Sequence, residues 1–223
     1  MDLSATAIAP AVTVLAWLVA AALLLPAFVA ARHELRGRRF PTRIWHGGIA
    51  TITLLWSVQA TVSGQFTFHL LGIAGLALAL GAPLALCASA VVVALHIALH
   101  GGEWVNAALV WLTLCASAVG VVTALLRATE RYLAPNPLIY FIVVSFLGSA
   151  LSLVGAGLIA ISVFAQATDL EWTRALETYA GYLVPLAFGE ATLTGMLITL
   201  AVVYRPQWVA TFRDTHYLRP PGR

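Results

Sequence analysis

Residues 69–100 read HLLGIAGLALALGAPLALCASAVVVALHIALH, without one Asp, Glu, Lys or Arg. A run this apolar belongs in a bilayer, yet it is too long for one upright helix, because about 20 apolar residues already cross the hydrocarbon core. Gly81-Ala82-Pro83 interrupts it, and proline cannot continue a preceding helix, since it lacks an N–H and clashes with the carbonyl one turn back. The run therefore divides into a short helix over residues 69–81 and a second over 84–100.

Working outward by the same length rule, further helices are expected over residues 9–31, 44–63, 103–126, 137–166 and 177–204. The reading is an all-α, polytopic membrane protein of about seven transmembrane helices, one integral membrane domain over residues 1–223 with a cytoplasmic tail at 205–223. Composition agrees. Of the 223 residues 61% are hydrophobic and 9% charged, with a mean hydropathy of +0.92, against roughly 25% charged in soluble globular chains. The first helix is not expected to be a cleaved leader, because Asp2 is acidic, no basic segment precedes the apolar run, and that run is too long.

All 12 basic residues are arginines. Without a lysine there is no Walker A loop, which needs one to reach the β- and γ-phosphates. The arginines sit in short loops beside apolar spans, where basic charge sets topology and meets anionic lipid, so a nucleic-acid partner is not expected. On the seven-helix reading only Arg174 falls on one side, together with most of the acidic residues; the other arginines fall on the opposite side. The positive-inside rule then puts the N-terminus outside and the C-terminus in the cytoplasm. Cys87 and Cys115 lie within apolar runs and read as small hydrophobes. Small residues at four-residue spacing, among them Ser145, Ser149, Gly148 and Ser152, suit close helix packing.

Ionisable groups within a bilayer are expensive and mark candidate sites. His69, His96 and His100 all map to the outer side, at the start of one short helix and the end of the next. His96 and His100, four apart, share a helix face, a spacing that suits two imidazoles on one divalent ion; the alternative is that such amphipathic rings occupy the headgroup layer. Glu103 follows on the same side as a carboxylate ligand or a helix cap. Glu190 falls near the middle of the last span, where it needs a partner such as Gln59 or Thr192, a proton, or a polar cavity. Gln59 and Glu103 are further candidates for polar support.

Residues 59–72, Q-A-T-V-S-G-Q-F-T-F-H-L-L-G, resemble the stretch Q-M-x-N-F-x-V-x-G-G-T-S-G-H-L-L-G of the cobalt and nickel substrate-capture subunits of energy-coupling-factor ABC transporters. Gly101-Gly102 falls where that family has a G-D-G-G-L turn. Residues 190–195 (E-A-T-L-T-G) and 203–208 (V-Y-R-P-Q-W) are similar to its last helix and exit, and the seven-span plan with an outside N-terminus is also the family's. The resemblance implies capture of a divalent cobalt or nickel ion outside, through the amine of Met1, a second-position side chain and His69 of the H-L-L-G motif. The family's start, M-H-I-P-(D/E)-G-F-L-S-P, aligns without a gap, but its second-position histidine is Asp2 here and its Pro-acid-Gly turn is replaced by Ser4-Ala5-Thr6.

The expected ligand set is accordingly Met1, Asp2, His69 and either His96 or His100, a mixture of nitrogen and oxygen that also suits Cu²⁺ or Zn²⁺. No permanent cofactor is expected, and the chain is not an enzyme. Its expected setting is the cell inner (cytoplasmic) membrane, its partners the metal ion, the bilayer, and separate ATPase subunits with a transmembrane coupling protein. Ala16, Ala20, Ala27 and Ala31 on the first helix are either a docking face for that protein or ordinary packing. The alternative function is a b-type haem electron-transfer protein ligated by His69 and His96.

Overall fold

The computed structural model describes residues 8–37, 42–62, 66–168, 170–213 and 217. Met1, Asp2 and the end of the tail, His216 included, lie outside the described residues. Among the described residues the chain forms α1 (Pro10–Gly37), α2 (Thr42–Ser57), a hairpin of β1 (Ala60–Val62) and β2 (Phe66–Phe68), α3 (Ile73–Leu80) and α4 (Ala82–His100). Then come α5 (Trp104–Tyr132), α6 (Pro137–Ala167), α7 (Trp172–Tyr204) and a 3-10 turn over Pro206–Trp208.

One sequence expectation is corrected here. The fold is mostly helical, yet residues 60–62, placed at the end of the second helix, pair antiparallel with residues 66–68, Ala60 facing Phe68 and Val62 facing Phe66. Thr61, Val62, Phe66, Thr67 and Phe68 are strand formers, and the absence of charge that extended the apolar span to residue 63 does not distinguish a strand from a helix. Open sheet edges do not occur in lipid-exposed hydrocarbon, so the hairpin belongs at the membrane surface. Among the described residues seven helices are present, and five of them, α1, α4, α5, α6 and α7, are long and apolar enough to cross a membrane. At eight residues α3 is about 12 Å long and cannot bridge a core of about 30 Å.

The charge clusters locate membrane edges rather than helix ends. Helix α5 continues past Arg127 to Tyr132, α1 past Arg32 to Gly37, and α7 begins at Trp172, ahead of Arg174 and Glu177. Asn136 starts α6 by accepting the Leu138 N–H at 2.8 Å, with Pro137 in the first turn. The small residues pack as expected. Ser145, Ser149 and Ser152 are fully buried, and the Ser152 hydroxyl donates to the Ala118 carbonyl of α5 at 3.1 Å. On α1 the four alanines are buried, and this helix packs on α4 and α5, so they serve packing; their other reading, as a free docking face, is overturned.

Helix α3 lies at the centre, packed on α2, α4, α5, α6 and α7, with Ile73, Leu78 and Leu80 essentially inaccessible. The expected break is present, with Gly81 at φ +86° and Pro83 in the first turn of α4. A short buried helix leaves backbone groups unsatisfied at both ends, and in an apolar interior each is costly. Its N-terminal approach is met by Glu190 of α7, whose carboxylate accepts the Leu71 N–H at 2.9 Å on one oxygen and the Gly72 N–H at 2.7 Å on the other. Its C-terminal carbonyls are met by the segment after α7. Ala210 N–H donates to Ala79 O at 2.9 Å, and the Thr211 hydroxyl to Leu78 O at 2.8 Å while also contacting the Tyr140 hydroxyl at 2.7 Å. The segment assigned to the tail is thus folded against the body, with Phe212 and Tyr217 both buried and packed on the Tyr140 ring. Gly72 permits the entry to α3: its φ is +65°, and a Cβ there would collide with Ile52 Cδ1.

Glu190→Gln keeps one acceptor and presents an NH2 to the second amide, so it is expected to lower unfolding stability by about 1–3 kcal/mol. Glu190→Ala, which strands both amides, lowers it further. Thermal unfolding in detergent measures both, and unchanged midpoints would show that the Leu71 and Gly72 amides have another acceptor. By the same reasoning Thr211→Val, which removes the hydroxyl from Leu78 O, is expected to cost about 1 kcal/mol, with the far-ultraviolet helix signal retained.

Candidate functional site

His69 occupies the turn between β2 and α3, and its position follows from both. The hairpin precedes it, and Glu190 holds the amides of Leu71 and Gly72, two and three residues further on. The ring is buried, with Nδ1 3.1 Å from its neighbour's carbonyl, Leu70 O. His96, also buried, reaches the same place from the last turn but one of α4, with a centroid separation of 6.1 Å from His69. The convergence of helices 3 and 4 expected from the sequence is therefore present.

His100 sits on the same face as His96, with the rings stacked at 4.7 Å and 26° and His100 Nδ1 3.3 Å from His96 O. Stacking places the in-plane lone pairs of the two imidazoles side by side rather than convergent. His69 and His96 are both buried, whereas His100 is exposed. Among the described residues no group of three His, Cys, Asp or Glu side chains is placed to hold a metal ion. Met1 and Asp2, the other expected ligands, lie outside the described residues.

A residue that sequence reasoning missed organises this cluster. Trp56, the last large side chain of α2, is fully buried, with its ring 4.6 Å from His69 and 5.4 Å, edge-on at 81°, from His96. Its Nε1–H donates to Leu71 O at 3.0 Å. The H-L-L-G loop is thus held at successive peptides, its Leu71 carbonyl by the indole and its Leu71 and Gly72 amides by Glu190. A tryptophan in an apolar helix carries no signal for such a role. The only hint was its place three residues before Gln59.

The polar support expected from other residues takes a different form. Gln59 is exposed between α2 and β1, and Thr192 donates to Phe188 O within α7 at 2.8 Å; Glu190 takes backbone amides as its partners instead. Glu103 is exposed and precedes the first turn of α5 without a side-chain capping bond, although its backbone carbonyl accepts the Asn106 N–H at 3.0 Å. The cap expected of its carboxylate is not made. His46 is bonded within its own helix, Nδ1 lying 2.7 Å from Thr42 O.

The fold is shared with solved transporters. A crystal structure of a truncated transition metal transporter superposes with a TM-score of 0.73 at 18% identity, over 92% of this chain and 99% of that one. A crystal structure of a transition metal transporter gives a TM-score of 0.72 at 17% identity, over 90% of this chain and 92% of the other. At such identity the likeness concerns the fold alone. No curated protein sequence matches the chain. The family assignment rests on the sequence itself, since residues 2–208, nearly the whole chain, match the cobalt uptake substrate-specific transmembrane region. With an H-L-L-G loop locked between α2 and α7 and an all-but-complete match, the chain belongs to the cobalt uptake substrate-specific transmembrane family.

Proposed function

We propose that this protein captures a divalent transition-metal cation, cobalt or nickel, at its outer face and delivers it for uptake in concert with separate ATPase subunits and a transmembrane coupling protein. The reading rests on one observation above others. His69 and His96, both buried, lie with ring centroids 6.1 Å apart beside a loop fixed by both Glu190 and Trp56. Two borderline imidazoles, joined by the Met1 amine and the Asp2 carboxylate, make a nitrogen-rich set with one oxygen. Such a set suits Ni²⁺ and Co²⁺, and Cu²⁺ and Zn²⁺ as competitors.

The orientation supporting this reading is N-terminus outside, C-terminus cytoplasmic, with the arginine-rich side facing in. The setting is the cell inner (cytoplasmic) membrane. The ion is cargo, so the site has to release it as well as bind it. Glu190 and Trp56 hold the peptide rather than the metal, which leaves the imidazoles and the N-terminal segment as the parts that respond to the ion. Trp56 also argues against the haem alternative, because the indole lies against both imidazoles and occupies space that a porphyrin between them would need.

Calorimetric titration of Ni²⁺, Co²⁺, Cu²⁺ and Zn²⁺ into protein tagged only at its C-terminus is expected to give saturable one-to-one binding. His69→Ala is expected to weaken it at least 100-fold, the effect of about 3 kcal/mol, and His96→Ala at least tenfold, about 1.4 kcal/mol. Unchanged affinity in His69→Ala would remove the site, and a haem absorption band in the purified protein would favour the alternative.

Trp56→Phe keeps a ring against the histidines but frees Leu71 O. It is expected to weaken metal binding by about three- to tenfold, in keeping with one lost hydrogen bond of about 1 kcal/mol, while the unfolding midpoint moves by only a few degrees. Affinity equal to the wild type would show that the indole has no positioning role.

A further inference from the structure

Away from the histidine cluster, a groove of about 760 Å3 runs along the membrane-facing side of the protein between α2 and α7. Its floor is one face of α3 and the residue before it, Gly72, Gly75, Leu76 and Ala79, at the spacing that aligns side chains on a helix. Two of these four are glycines, so the floor is partly bare backbone whose terminal polar groups are already satisfied. The rims include Leu54, Leu197 and Leu200, all exposed and apolar, which opens the groove to acyl chains. Along α2 its lining extends from Ile44 to Leu55, with Val58 just beyond the helix, about 16 Å of helix and close to the roughly 15 Å that makes half of a bilayer core.

The ends of the groove differ. One reaches Gly72, the glycine whose amide is held by Glu190. The other is closed by Tyr204, Arg205 and Trp208, the combination of two amphipathic aromatics and a cation found at headgroup level. Arg205 is exposed, and among the described residues the ion pair formed is Arg213 with Glu130, at 3.1 Å, not one to Arg205. Arg43, also exposed, adjoins the lining residue Ile44 at the same end. Among the described residues the groove lining includes no Asp or Glu.

We propose that this groove is a binding site for one anionic phospholipid, with an acyl chain lying on the glycine-bearing face of α3 and the phosphate at Arg205. Charge complementarity selects the occupant. An apolar channel alone would accept any tail, whereas a cation without an acidic neighbour in the groove, framed by Tyr204 and Trp208, favours a headgroup with net negative charge. The chain end would then lie against Gly72, on the underside of the loop that carries His69.

Native mass spectrometry of the full-length protein, titrated with phosphatidylglycerol or phosphatidylcholine of identical chains, tests the site. One tightly bound phosphatidylglycerol, preferred over phosphatidylcholine by about fivefold or more, is expected, because one basic residue near a headgroup is worth about 1 kcal/mol. Arg205→Ala is expected to lose that preference while still binding both lipids, and Ala201→Phe, which fills the groove from α7, to lose both. Circular dichroism confirms that each variant is folded. If the two lipids bind equally and Arg205→Ala changes nothing, or if filling the groove leaves phosphatidylglycerol binding intact, the assignment is wrong. The groove is then either bathed by bulk lipid or occupied by a helix of another protein.

Discussion

An eight-residue helix cannot cross a membrane, and its ends cannot be left bare in the apolar interior where α3 lies. That constraint accounts for much of the remaining structure. The hydrogen bonds missing at its N-terminal approach are supplied from α7 by Glu190, 118 residues away from Gly72. Those missing at its C-terminus come from the segment that folds back after α7, through Ala210 and Thr211. A carboxylate beside the first peptides of a helix is also favoured by the positive end of the helix dipole. A buried acid that looks expensive in isolation is therefore accounted for by two amides and a dipole.

The same arrangement places the site. Because the Leu71 and Gly72 amides are held by Glu190, and the Leu71 carbonyl by Trp56, the backbone two residues earlier, at His69, is anchored close to fixed peptides. Rigid backbone carries one imidazole, and the long helix α4 carries the other. The histidines proposed as ligands thus sit in a frame whose loop is fixed by the hydrogen bonds of Glu190 and Trp56. On the proposed function, this separation of frame from ligands would let the ion come and go without dismantling the contacts that hold α3 in place.

Much of this could be read from the sequence, and the failures have definite causes. Gly81 and Pro83 announced the broken helix, the outer histidines announced their cluster, and the H-L-L-G segment pointed to the family. Glu190 was recognisable as a residue that must have a partner. The partner was not, because backbone amides have no letter in the sequence and the pairing spans more than half the chain. The hairpin was missed because an uncharged strand and the end of an apolar helix have the same composition. The alanines of α1 show the reverse difficulty, a pattern with two readings between which only packing against α4 and α5 decides.

The most direct test of the account is X-ray absorption spectroscopy of the cobalt-loaded protein, comparing wild type with His69→Ala and Glu190→Gln. The account predicts imidazole scattering from two histidines in the wild type, one fewer in His69→Ala, and the full number with greater disorder in Glu190→Gln, where the loop is loosened but its ligand remains. A cobalt environment built of oxygen alone, or one indifferent to His69, would contradict it.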